Sequence, residues 1–162
     1  MEQTDIQVPV ELREVTAADG AFLLEVYAST RAEELAQTGW PDELKAEFCR
    51  MQFEAQDAHY RTYYPNARFT VIVRGGEQMG RLYVDRWEKE IRVMDIALLP
   101  SCRGRGAGTF LLKELQTEAR DAGKVLSIHV ERFNPALLWY QRLGFQVVEE
   151  KNVYLLLNWN PS

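Results

Sequence analysis

Leu98-Leu-Pro-Ser-Cys-Arg-Gly-Arg-Gly-Ala-Gly-Thr109 places glycines at alternate positions, Gly104, Gly106 and Gly108, and interleaves them with Arg103 and Arg105. An apolar run precedes the segment and an amphipathic one follows it. Glycine lets the backbone turn tightly and approach a ligand closely. The unpaired amides at the start of the following helix then point at an anion, with the helix dipole behind them. The stretch reads as a strand, a phosphate-holding loop and a helix in succession.

Working outward, Gly108, Leu111, Leu112, Leu115, Ala119 and Ala122 recur at helical spacing until Gly123, which suits a helix C-cap. Val125 to Val130 then reads as a strand. A helix of this length between two strands predicts that they pair in parallel through a right-handed crossover. Upstream, Phe69 to Arg74, Met79 to Trp87 and Glu90 to Leu99 read as three strands. Hairpin-length turns at Gly75-Gly76 and Glu88-Lys89 make them antiparallel. Val10 to Val15 is a short first strand, and Thr16 with Asp19 forms a capping box opening a helix to about Ser29. A second helix starts after Pro41, and Leu44, Phe48, Met51, Ala55 and Ala58 mark the face expected to be buried. Asn134 and Pro135 match the N-cap and first turn of a short helix to about Leu143, ended by Gly144. Strands at Phe145 to Glu149 and Val153 to Asn158 close the chain, leaving edges available for pairing in a homodimer. The fold class is α/β (α+β): one domain over residues 1–162, with about seven mostly antiparallel strands, about four helices, a parallel splayed pair and a loose extension at residues 1–8.

The chain has 162 residues, 46% of them hydrophobic, enough for one core. Its 19 basic and 24 acidic residues leave a net charge of -5 without any basic block, which argues against a nucleic-acid or membrane surface as partner. No apolar run reaches the ~20 residues of a membrane span, and the polar start lacks the features of a secretion signal. Two widely separated cysteines, Cys49 and Cys102, fit no metal spacing and suit a reducing compartment. These features together predict a cytoplasmic protein.

Three readings of the loop compete. A nucleotide P-loop requires Gly-Lys followed by Ser or Thr, which is absent. A dinucleotide turn requires its third glycine three residues after the second, and alternating helices upstream. Glu131 stands where its acidic partner would, but the glycine spacing and the hairpins oppose it. The third reading rests on Arg103-x-x-Gly106-x-Gly108 after Leu98-Leu99-Pro100, together with Asn134-Pro-Ala-Leu-Leu-Trp-Tyr140-Gln-Arg-Leu-Gly-Phe145. On these motifs the chain resembles the GNAT superfamily of acetyl-CoA-dependent N-acetyltransferases, specifically between Ile91 and Phe145 and in element order throughout.

That resemblance implies acetyl-CoA as co-substrate and no metal. It places the pyrophosphate on Arg103, Gly104, Arg105, Gly106, Ala107, Gly108 and Thr109. Ala97, Leu98 and Leu99 would line the pantetheine arm, with Asn134 and Leu137 reaching it from across a splay between the parallel strands. It gives Tyr140 the role of acid or hydrogen-bond donor to the departing thiolate. A primary amine on a small molecule or peptide would be the acceptor. Since an alkylamine is protonated at neutral pH, freeing its lone pair costs about 4 to 5 kcal/mol. Asp95 is the first candidate to take that proton, and His129 and Glu131, two apart on one strand face, could relay it through water. Cys102 has no activating histidine at readable spacing, which argues against covalent catalysis. Trp40, Tyr60, Tyr63 and Tyr64 suggest a partly apolar acceptor wall. Two other function classes remain: a CoA-binding sensor without turnover, and a dinucleotide-dependent oxidoreductase.

Overall fold

The computed structural model describes residues 9–161, so the expected extension at residues 1–8 lies outside the described residues. Seven strands form one sheet: β1 (Val10–Glu14), β2 (Arg68–Arg74), β3 (Glu77–Arg86), β4 (Glu90–Leu98), β5 (Val125–Glu131), β6 (Gln146–Lys151) and β7 (Tyr154–Trp159). Their order is β1-β2-β3-β4-β5-β7-β6, with β4 and β5 parallel and the other neighbours antiparallel. Four α-helices accompany them among the described residues: α1 (Gly20–Ala36), α2 (Asp42–Tyr63), α3 (Ala107–Ala122) and α4 (Leu137–Arg142). The mixed sheet, the three upstream hairpin strands and the parallel crossover all match the sequence reading. No helix among the described residues is long and apolar enough to cross a membrane.

The two sheet faces carry different cores. Leu82, Val84, Ile91, Val93, Leu126 and Ile128 pack with Leu111, Leu112, Leu115 and Ala119 of α3 and with Tyr140 of α4. Gln116 ties these helices together by donating to the Leu143 carbonyl at 2.9 Å. On the other face α1 and α2 build a smaller cluster around Tyr27, Leu35 and Cys49.

Three local readings are corrected. α1 runs to Ala36, beyond Ser29, because Ser29 and Thr30 satisfy their hydroxyls on the Val26 and Tyr27 carbonyls inside the helix. The capping box of Thr16 and Asp19 is present but caps a 3-10 turn, Ala17–Asp19, in front of α1. Of the α2 stripe only Phe48, half-buried against the α1–α2 cluster, faces the core. Leu44, Met51, Ala55 and Ala58 are exposed, whereas Cys49, Gln56 and Tyr60 turn inward to the sheet and α1. Two apolar stripes share this helix, and the inward one mixes polar with apolar residues, so hydrophobic periodicity selects the wrong one.

β4 is irregular where it matters. Its register with β3 passes from Tyr83 opposite Asp95 to Val84 opposite Val93, so Met94 is the extra residue of a β-bulge. The parallel ladder with β5 ends at the same level, with Val93 opposite Ile128. Beyond it, Met94 through Leu99 are all half-buried, one side of the strand having lost its neighbour. Gly80 on β3 packs against this stretch. A Cβ there would stand 2.0 Å from the Ala97 carbonyl oxygen. Gly80→Ala is therefore expected to lower the unfolding free energy by about 3 kcal/mol, from overpacking against backbone, as read by urea denaturation; an unchanged midpoint would show that β4 is free to move.

Candidate functional site

The glycine loop follows β4 through a 3-10 turn, Pro100–Cys102. Gly104 and Gly106 both hold positive φ, at 75° and 84°, a conformation costly for side chains with a Cβ. The first helical bond of α3 is donated by Phe110 to Gly106 at 2.9 Å. The six consecutive amides from Gly104 to Thr109 donate to no protein acceptor among the described residues. The first turn of α3 carries no acidic residue. Such a run of free amides at a helix N-terminus is an anion nest. Arg103 donates to the Leu98 carbonyl at 3.1 Å, and Arg105 bridges Glu77 at 3.0 Å and the Ser101 carbonyl at 2.8 Å. The arginines brace the loop's shape and leave the backbone to meet the anion.

α4 is fastened to this loop. Trp139 donates its indole N–H to the Thr109 hydroxyl at 2.9 Å, and its ring lies where a Cβ on Gly108 would come within 3.1 Å. Asn134 and Pro135 precede the helix by a turn: the Asn134 side chain accepts from the Ala136 amide at 2.8 Å, so it caps the approach to α4 and stays exposed. Leu137 is half-buried beside it. Tyr140 is buried between Trp139 and Phe145. Burial, with a smaller contribution from the Asp95 charge, pushes its phenol well above the ordinary range, so it stays protonated.

Asp95 lies just past the bulge and is paired. Arg81, 2% exposed at the centre of β3, gives one Nη to Asp95 Oδ2 and, at 2.8 Å, to Gln56 Oε1 of α2. The Tyr83 and Tyr27 rings cover its guanidinium at 4.9 and 5.9 Å. Arg81 Nε and the Tyr83 hydroxyl are buried without partners among the described residues. Asp95 keeps 19% of its side chain exposed. Tyr60 stacks edge-on against Tyr83 and is also raised, first by burial and then by Asp95. The Asp95 charge thus acts on both the Tyr60 and Tyr140 phenols, just past the level at which β4 parts from β5.

Sequence reasoning passed over Arg81. The available signal was its place: a charge on the inward face of a central strand, in line with Tyr83, has to find a counter-charge nearby. His129 is held differently from expectation. Arg92 approaches its Nδ1 at 3.2 Å, and burial together with the Arg92 charge lowers its pKa, leaving a neutral ring whose acceptor nitrogen is engaged. Glu131 is exposed at the end of β5. Cys49 and Cys102 are free and buried, and Cys102 sits 3.8 Å from a Glu77 oxygen, beneath the loop. Tyr60, Tyr63 and Tyr64 gather around His59, while Trp40 packs apart from them on Phe48. Among the described residues no three His, Cys, Asp or Glu side chains assemble as a metal would need.

Residues 65–147 match the family model described as an acetyltransferase (GNAT) domain. The fold is similar to PaiA N-acetyltransferase from Thermoplasma acidophilum, solved with coenzyme A, with a TM-score of 0.71 at 16% identity over 94% of this chain and 99% of that one. It is similar also to an acetyltransferase from Thermus thermophilus, with a TM-score of 0.69 at 20% identity over 96% and 99% of the two chains. A GNAT family acetyltransferase from Elizabethkingia anophelis, solved with acetyl-CoA, gives 0.59 at 16% identity over 93% and 97%. No curated protein matches the chain significantly in sequence. The contact between α4 and the loop yields its own test. Gly108→Val should displace the Trp139 ring, costing about 1–3 kcal/mol in urea and shifting tryptophan emission; native emission and stability would show that the indole does not brace the loop.

Proposed function

The chain belongs to the GNAT acetyltransferase family, and from that premise we propose that it moves the acetyl group of acetyl-CoA to a primary amine by direct attack in a ternary complex. The observation that carries this reading is the run of six free amides from Gly104 to Thr109 beside the half of β4 that lacks a β5 partner. A pyrophosphate suits the nest. The open edge from Ala97 to Leu99 offers main-chain groups to a pantetheine arm, with Asn134 and Leu137 on its other side.

The amine nitrogen attacks the thioester carbonyl, the new C–N bond forms, and the C–S bond breaks to release a thiolate. Tyr140, protonated and buried, donates a hydrogen bond to that sulfur. A phenol at about 10 against a thiol at about 8.5 makes full proton transfer uphill. Its contribution is therefore to hold developing charge. At the acceptor side Asp95 is the group that meets the amine. Paired with Arg81 on one side, its carboxylate holds the ammonium on the other, and the proton leaves through water at that open side. His129 is a weaker choice for this task, because Arg92 occupies its acceptor nitrogen.

The competing reading is a sensor that binds CoA without turnover. A thiol-release assay with acetyl-CoA and a panel of amines separates the two: release with any amine supports transfer, and tight CoA binding with no release supports the sensor. NADH binding without CoA binding would overturn both. Gly106→Asp is expected to abolish CoA binding by calorimetry, because it puts a side chain and a negative charge into the nest at a positive φ; unchanged affinity would remove the loop from the site. Tyr140→Phe should lower kcat by about 10- to 100-fold, the scale of one positioned proton donor, with CoA affinity preserved. A fully active variant would exclude the phenol.

A further inference from the structure

β4 and β5 are joined by more than their backbone ladder. That ladder runs from Glu90 opposite Val125 to Val93 opposite Ile128 and ends there. Arg92, one residue short of the end, sends its guanidinium across to β5, where Nε donates to the Ser127 hydroxyl at 2.7 Å and Nη1 lies 3.2 Å from His129 Nδ1. Its remaining nitrogen, Nη2, donates to Glu90 at 2.8 Å, and Ser127 donates to the same carboxylate. The Trp87 ring lies against the guanidinium, 4.9 Å away. All three nitrogens are engaged, so the planar fork is held in one orientation. His129 stands one residue beyond Ile128, and the side-chain link therefore reaches further along β5 than the ladder does. Among the described residues it is the last hydrogen-bonded link between the two strands before they part.

That link depends on a proton. Arginine only donates, so His129 accepts at Nδ1, which a neutral ring carrying its hydrogen on Nε2 can do and an imidazolium cannot. Protonation at Nδ1 breaks the bond and sets a second cation against Arg92. The ring is exposed, so protons reach it from solvent. The charged groups facing it are Arg92 and Glu90 of β4 and Glu149 of β6; Glu131 follows two residues along β5, and the residue opposite on β7 is Leu156. Glu90 and Glu149 favour the protonated ring, but partial burial and then Arg92 outweigh them, and His129 titrates below its ordinary range. A ring that takes up its proton less readily in the folded chain than in the unfolded one contributes fully above about pH 6.5, and that contribution is lost as the pH falls below it.

We propose that Arg92 and His129 are positioning residues that form a proton-sensitive clip at the inner end of the slot. Closed, the clip holds β5 beside β4 up to the point where the slot begins; protonation of His129 opens it and lets the strands part further back. The clip itself stands on the strand geometry. Its consequence for a donor rests on the acetyl-CoA reading above, in which the pantetheine arm lies along Ala97 to Leu99 of the same slot. A slot whose inner end gives way holds an extended arm less firmly, so CoA affinity falls in acid.

The test compares wild type with His129→Asn, whose amide oxygen takes the place of Nδ1 without titrating, and with His129→Leu, which accepts no bond. CoA affinity is measured by calorimetry at about pH 7.5 and about pH 5, either side of the ordinary histidine value. Wild type and His129→Asn should bind equally at the higher pH, and wild type should bind about three- to tenfold more weakly than His129→Asn at the lower, the scale of one lost hydrogen bond. Titration of the phosphates of CoA affects both proteins alike and cancels in the ratio. His129→Leu should be weaker than His129→Asn at both pH values by that same factor. A ratio of wild type to His129→Asn that does not change with pH overturns the proposal, and so does a His129→Leu variant that matches wild type at the higher pH. In the ligand-free chain, amide hydrogen exchange across residues 126–129 should be faster for wild type than for His129→Asn in acid and equal at the higher pH; equal exchange at both overturns the clip. Should none of the three proteins bind CoA at either pH, the acetyl-CoA reading fails and the exchange measurement alone decides the clip.

Discussion

One extra residue in β4 governs the geometry of this protein. At Met94 the strand takes up a bulge against β3, and at that level its hydrogen bonds to β5 cease. A parallel pair in the middle of a sheet ordinarily stays joined, since each unpaired amide and carbonyl is a loss. Here the separation is imposed from the β3 side, where Gly80 lets the Ala97 carbonyl come in so close that no side chain fits. The two strands diverge, a slot opens between them, and the loop, the phenol and the carboxylate are all arranged around it.

The second constraint is charge. Burying Arg81 costs several kcal/mol in principle, and the favourable terms are Asp95, Gln56 and the faces of two tyrosines. Two polar atoms in this cluster still lack partners, so it is a poor device for stability alone. Its effect is to fix where a carboxylate stands. Replacing the pair with apolar residues of equal volume would be neutral or stabilising for the fold, and would leave the slot with no negative charge to present.

Much of this was legible in the sequence. The strand–loop–helix–strand order around Gly104 to Gly108 rests on local rules: turn chemistry, helical spacing and hairpin length. The same rules located the free amides. What stayed hidden depends on the third dimension. The outward stripe of α2 has the cleaner periodicity, while the buried one includes Gln56 and Tyr60, so pattern pointed to the wrong face. Arg81 drew no reading, because alternation along β3 does not reveal that β2 and β4 flank it inside the sheet. The tether from Arg92 to His129 joins two strands 37 residues apart, with no local signature. Asp95 was visible as a residue, but its partner was not, and the partner changes what chemistry the carboxylate suits.

Trp139 and Tyr140 are consecutive residues of one short helix. The first is hydrogen-bonded to the turn that carries the free amides, and the second is buried beside it, its phenol within the influence of the Asp95 charge. The loop and the phenol are therefore not independent degrees of freedom. Any ligand that orders the loop narrows the motion of the phenol, and anything that fixes the phenol tightens the loop by the same coupling free energy, since linkage between two sites is reciprocal. On the proposed reading, a donor gripped by its diphosphate at one end thereby settles the position of the group proposed to meet its sulfur at the other, before the acceptor arrives.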